Sequence, residues 1–75
     1  MHTEYEPYEN LANAIVILAA KDYRSALRRE KKGRGGTDTI RELERFFRSP
    51  WCEMLTDVSG EYLIERIRQQ VAEEN

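Results

Sequence analysis

The stretch from Leu11 to Leu27, LANAIVILAAKDYRSAL, constrains this chain more than any other. It holds the longest apolar run, and its periodicity is helical. At 3.6 residues per turn, Ala12, Ile15, Val16, Ala19, Tyr23, Ala26 and Leu27 share one broad face. The first half is apolar well beyond that face: Leu11, Ala14 and Leu18 form a second stripe, and Ile17 points elsewhere again. The second half is polar off the stripe, at Lys21, Asp22, Arg24, Ser25 and Arg28. The pattern therefore predicts a central helix covered on more than one side in its N-terminal half and on one side only in its C-terminal half. Ala12, Ala19 and Ala26 recur every seventh residue and would let a neighbouring helix come close.

The run Leu11 to Ala20 is too short for a bilayer span, which needs roughly 20 apolar residues. Glu4, Glu6 and Glu9 precede it where a secretory signal would carry positive charge. A buried helix is the simpler reading, and the expected setting is cytoplasmic. A single cysteine, Cys52, agrees with a reducing compartment and excludes a disulfide within the chain. It reads as a small buried hydrophobe, because no histidine is placed to activate it. His2 is the one histidine, so a structural zinc site is not expected either.

With 75 residues the chain has room for one small domain, and a domain of that size buries only about 60% of its unfolded surface. Tight packing or self-association must supply the rest. Net charge is −2, but it is unevenly spread. Residues 1–20 carry three glutamates, and residues 21–36 carry seven basic groups against two acidic ones. Residues 37–50 balance at three of each, and residues 51–75 carry six acidic groups against two basic ones.

Along the chain, Met1 to Glu9 reads as a disordered tail, with Asn10 capping the first helix. That helix stops at Gly33, where glycine supplies a left-handed cap. Gly33-Arg34-Gly35-Gly36 is a hinge; it lacks the spacing, the Lys-Ser/Thr and the preceding strand of a phosphate loop. Thr37 or Asp38 starts a second helix with Ile40, Leu43, Phe46 and Phe47 on its inner face, and Glu44 and Arg48 spaced to pair across one turn. Ser49-Pro50 restarts a short helix, where Trp51 is expected in the core or as its lid. Thr56 to Gly60 is a turn, capped by Asp57 or Ser59. It lacks the ligand ladder of a calcium loop. The last helix turns Leu63, Ile64, Ile67 and Val71 inward. The expectation is an all-α fold: a small bundle of three main helices plus one short helix near 10–32, 38–48, 50–56 and 60–72, with the first central and residues 10–73 one domain.

No catalytic constellation, metal motif or cofactor motif emerges. There is no histidine for acid–base work, and each carboxylate has a basic neighbour or sits at a cap. Three candidate surfaces remain. Leu11, Ala14 and Leu18 could carry self-association. The basic stretch Arg28, Arg29, Lys31, Lys32 and Arg34 could touch phosphates or a protein partner. Tyr62, Arg66 and Gln69 look outward from the last helix and suit a helix-turn-helix reading, in which the chain would be a nucleic-acid-binding accessory protein. Against that, Glu53, Asp57, Glu61 and Glu65 put negative charge where phosphates would lie. The leading expectation is a small non-enzymatic interaction module that self-associates; an enzyme comes last.

Several words of the sequence carry a likeness to known proteins: Leu11-Ala12-Asn13-Ala14-Ile15, Lys21-Asp22-Tyr23-Arg24, Phe46-Phe47-Arg48-Ser49, Leu55-Thr56-Asp57 and Gly60-Glu61-Tyr62-Leu63-Ile64. Over roughly residues 10–71 the chain resembles a small helical family of Firmicutes-type Gram-positive bacteria and their prophages. None of the words is a functional motif. The resemblance implies a bacterial or phage cytoplasmic setting and transfers no site. Cys52 stands where such relatives would carry an aromatic, so packing beside Trp51 is expected to differ.

Overall fold

The turn after the first helix decides the topology. The computed structural model of the chain describes the backbone of residues 7–74 and the side chains of residues 14–74. Helix α1, Pro7–Lys31, ends in a Schellman motif. Gly33 takes a φ of 72°, its N–H donates to the Glu30 carbonyl at 3.0 Å, and the Arg34 N–H donates to the Arg29 carbonyl at 2.8 Å. The chain thus reverses within five residues. Helix α2, Thr37–Phe47, runs back along the end of α1 it has just left. Ser49 then caps the short helix α3, Pro50–Leu55, accepting from the Cys52 N–H, with Pro50 opening the first turn. Ser59 caps α4, Gly60–Ala72, in the same way through the Tyr62 N–H. The described residues are all-α, a small bundle of three main helices and one short one.

The start of α4 is fixed by contact rather than by propensity. A Cβ added at Gly60 would lie 1.7 Å from the Phe47 carbonyl oxygen, so only glycine lets this helix begin against the end of α2. From there α4 runs the same way as α1 and finishes beside its last turn, where the Lys31 ammonium donates to the Val71 and Glu74 carbonyls at 2.7 Å each. The core is Tyr23, Ala26, Leu27, Ile40, Phe47, Cys52, Ile64, Ile67 and Val71, with Ala19, Ala20, Leu43, Phe46 and Leu63 packed against it. Tyr23 and Phe47 meet edge to face at 5.5 Å between ring centres.

Three expectations are corrected. Helix α1 begins at Pro7, not Asn10, because proline is pre-set for a first helical turn; Asn10 is therefore inside the helix, and residues 1–6 lie outside the described residues. Trp51 is 57% exposed and not a core residue, since the six-residue α3 has one inner face and Cys52 occupies it. The coverage of α1 departs from that expected in the N-terminal half, while the C-terminal half is covered on one side, as expected. Its C-terminal half is buried, at Tyr23, Ala26 and Leu27. Its N-terminal half, the more apolar one, leaves Ile15, Ile17 and Leu18 exposed. Lengths explain this. At 1.5 Å per residue α1 is about 37 Å long and α2 about 16 Å, so a helix that folds straight back covers only the end it came from.

Candidate functional site

The N-terminal half of α1 is a surface because of what does not reach it. Exposure around the helix follows the angle from the bundle. Val16, on the side of Tyr23 and Leu27, is half-buried; Ile15 is 36% exposed; Ile17 and Leu18, farthest round, are 52% and 59% exposed. Ala14 is exposed too and lies between Ile17 and Leu18 on the helical wheel. Two sequence candidates, Ala14 and Leu18, thus share one outward face, whereas the side chain of Leu11 is outside the described residues. Ile17 belongs with them and was not among the candidates. Its signal was its position off both stripes, which leaves it uncovered by any single neighbour. No ionisable side chain occurs from Ala14 to Ala20.

The basic stretch is not one patch. The Arg28 guanidinium donates twice to the Glu74 carboxylate, at 2.8 and 2.6 Å. Those bonds, with the nearby cations, hold the Glu74 carboxyl below the usual range. Lys31 is engaged at the end of α4. Both therefore tie α1 to α4. Arg29, Lys32 and Arg34 are exposed and make no ion pair among the described residues.

On α4, Tyr62 is 56% exposed, and Arg66 and Gln69 are exposed as well, with the Gln69 amide donating to Glu73 at 3.3 Å. Helix α3 packs on α1 and α2 and barely touches α4. That leaves the α3–α4 pair without the mutual packing on which a helix-turn-helix is built.

A polar cluster that the sequence did not announce joins the three long helices. The Tyr23 hydroxyl donates to Glu44 Oε2 at 2.6 Å, and Arg68 donates to the same oxygen through Nη2 at 2.6 Å and Nε at 3.2 Å. The Arg68 guanidinium also lies 6.0 Å from the centre of the Tyr23 ring. Burial, and then the bond to Glu44, push the Tyr23 hydroxyl well above the ordinary tyrosine value. For Glu44, burial acts upward, but the bonds from Tyr23 and Arg68 and the charges of Arg68 and Arg48 outweigh it and hold the carboxyl low. The expected Glu44–Arg48 pair is present only at 3.7 Å, because Arg48 turns its Nε to Glu61 at 2.5 Å instead. The ends of this cluster are 21 and 24 residues apart in the chain, so periodicity could not reveal it. Every member is satisfied from within the bundle, which makes it a fastening of the fold.

Cys52 is fully buried, and burial raises its thiol pKa. Among the described residues no three His, Cys, Asp or Glu side chains gather as a metal site would require. No helix of the described residues is long and apolar enough to cross a membrane. Comparison with protein-family models, with curated proteins and with solved structures finds no match.

Proposed function

We propose that the chain is a small non-enzymatic interaction module that self-associates through the outward face of the N-terminal half of α1, in the bacterial or phage cytoplasm that its resemblance implies. The observation that carries this reading is the exposure of Ile17 and Leu18 beside Ala14 on a part of the helix that the bundle leaves uncovered. Single exposed hydrophobes are ordinary on a protein surface, whereas contiguous ones mark contact sites. A second copy is the occupant that best fits: the face is apolar, has no charge to select a different partner, and belongs to a helix that already packs well through its opposite side. The small size of the domain adds a reason, because a second copy would supply apolar burial that the monomer lacks.

Sedimentation equilibrium from micromolar to millimolar protein tests this. The mean mass is expected to rise with concentration for the unmodified chain and to stay monomeric for Leu18→Glu. Helix content should be equal in the two, since Leu18 is outside the core. A chain that stays monomeric throughout that range would sink the proposal, as would association that Leu18→Glu leaves untouched.

A further inference from the structure

We infer that the outer side of α3, with the turn that follows it, is a docking surface for a basic amphipathic segment of another protein, with Trp51 and Met54 as its apolar anchors and Glu53, Asp57 and Glu65 as its charge. This goes beyond self-association through α1 and does not depend on it. The backbone builds the surface. Gly60 lies against the Phe47 carbonyl and Arg48 pairs with Glu61, so α4 starts beside the end of α2, just where α3 departs. Residues 50–60 thus form a loop whose two ends meet at the end of α2. Its inner side is Cys52, fully buried. On the helical wheel Met54 points away from Cys52, flanked by Trp51 and Glu53. Met54 is 78% exposed and Trp51 more than half. Val58 in the turn and Tyr62 in the first turn of α4 are exposed too. Such a concentration of large apolar side chains in one short segment differs from the scattered single hydrophobes of an ordinary surface.

Charge selects the occupant. From Pro50 to Glu65 the chain holds Glu53, Asp57, Glu61 and Glu65 and no basic residue. Arg48 answers Glu61, whereas Glu53, Asp57 and Glu65 are exposed and make no ion pair among the described residues. The exposed ring faces of Trp51 and Tyr62 favour cations as well. Nucleic acid and an anionic lipid surface are repelled. So is the same face of a second copy, which would set carboxylate against carboxylate. A partner segment that carries Lys or Arg beside apolar side chains satisfies both kinds of group at once. The anchors suit that partner: tryptophan is enriched among the residues that dominate protein contacts, and the flexible thioether of methionine adapts to an irregular surface.

Trp51 is the one tryptophan of the chain, so its fluorescence reports this surface directly. A Leu/Lys peptide patterned as an amphipathic helix, titrated into dilute protein, is expected to move the emission to shorter wavelength and to shield Trp51 from acrylamide. A Leu/Glu peptide of the same pattern is expected to do neither. Met54→Ser and Glu53→Lys should each weaken binding about tenfold; both positions are exposed and outside the core, and Met54→Ser leaves the charge of the helix untouched. A Leu18→Ala chain should bind as the parent does, and loss of binding there would place the peptide on α1 and overturn the assignment. An unmoved emission, equal binding of the two peptides, or binding that Met54→Ser and Glu53→Lys leave unchanged overturns it too. Emission that shifts when the protein alone is concentrated also overturns it, because a second copy is then the occupant. The α1 face is judged separately, by sedimentation and Leu18→Glu.

Discussion

The two halves of α1 belong to one continuous helix and obey different rules. From Tyr23 onward the outward side is polar, the inward side is closed, and the hydroxyl of Tyr23 has its own carboxylate. From Ala14 to Leu18 the helix is apolar on every side and closed on one at most. Apolar content alone therefore does not locate a core. What locates it is where the following elements are able to return, and a five-residue turn returns α2 to the C-terminal half only.

The largest expected effect sets the halves against each other directly. Tyr23→Ala removes a fully buried ring from contact with Phe47 and leaves Glu44 without its hydroxyl donor. The loss should be about 3–5 kcal/mol, which for a domain of this size equals most of its stability. Leu18→Ala should change stability by less than about 0.5 kcal/mol. Thermal or urea unfolding of dilute, monomeric protein measures both. Comparable losses for the two would show that something within the monomer covers Leu18, and the contrast between the halves would be gone.

An intermediate effect is expected where the closed half is anchored. Gly60→Ala would drive a methyl group into the Phe47 carbonyl, and backbone rather than a flexible side chain has to move. A cost of about 1–3 kcal/mol follows, or a fall in Tm of roughly 4–8 °C for each kcal/mol. The concentration dependence of association should survive in whatever fraction stays folded, since the change is remote from Ala14 and Leu18. A Gly60→Ala variant as stable as the parent would mean that α4 does not start against α2 in this way.

Most of the framework was legible because each element carries its own punctuation. Ser49-Pro50 and Ser59-Gly60 mark the starts of α3 and α4, and Gly33 marks the end of α1. The inner faces of α2 and α4 followed from spacing, and Cys52 was rightly read as buried. What escaped was tertiary. Whether Trp51 or Cys52 faces inward on a six-residue helix depends on how α3 is set down, and bulk favoured the wrong one. The Tyr23–Glu44–Arg68 cluster needs three helices in register before it exists. Arg28 and Lys31 looked free because their partners, Glu74 and the last carbonyls of α4, are 40 to 46 residues away. The outward face of α1 was half legible: Ala14 and Leu18 were singled out, but on the expectation of double coverage rather than of exposure.

The smallest effect separates the halves by pH. Glu44 titrates lower in the folded chain than the ordinary glutamate value of about 4.3, so its contribution is present above that value and fades as pH falls through the folded one. Tyr23 titrates higher than the ordinary value of about 10, so its contribution is complete below that and fades as pH rises toward the folded one. Stability should therefore be flat from about pH 5 to 9 on account of this cluster and fall on both sides. Glu44→Gln should cost about 1–2 kcal/mol at neutral pH and shallow the acid limb; Tyr23→Phe should shallow the alkaline one. Glu74 also titrates low, but it is an exposed pair with Arg28 and adds little to the acid limb. Between Ala14 and Ala20 there is nothing to titrate. Urea midpoints across pH for the three proteins decide the matter: an acid limb unchanged by Glu44→Gln would place the sensitive carboxylate elsewhere and reduce the cluster to an exposed ion pair.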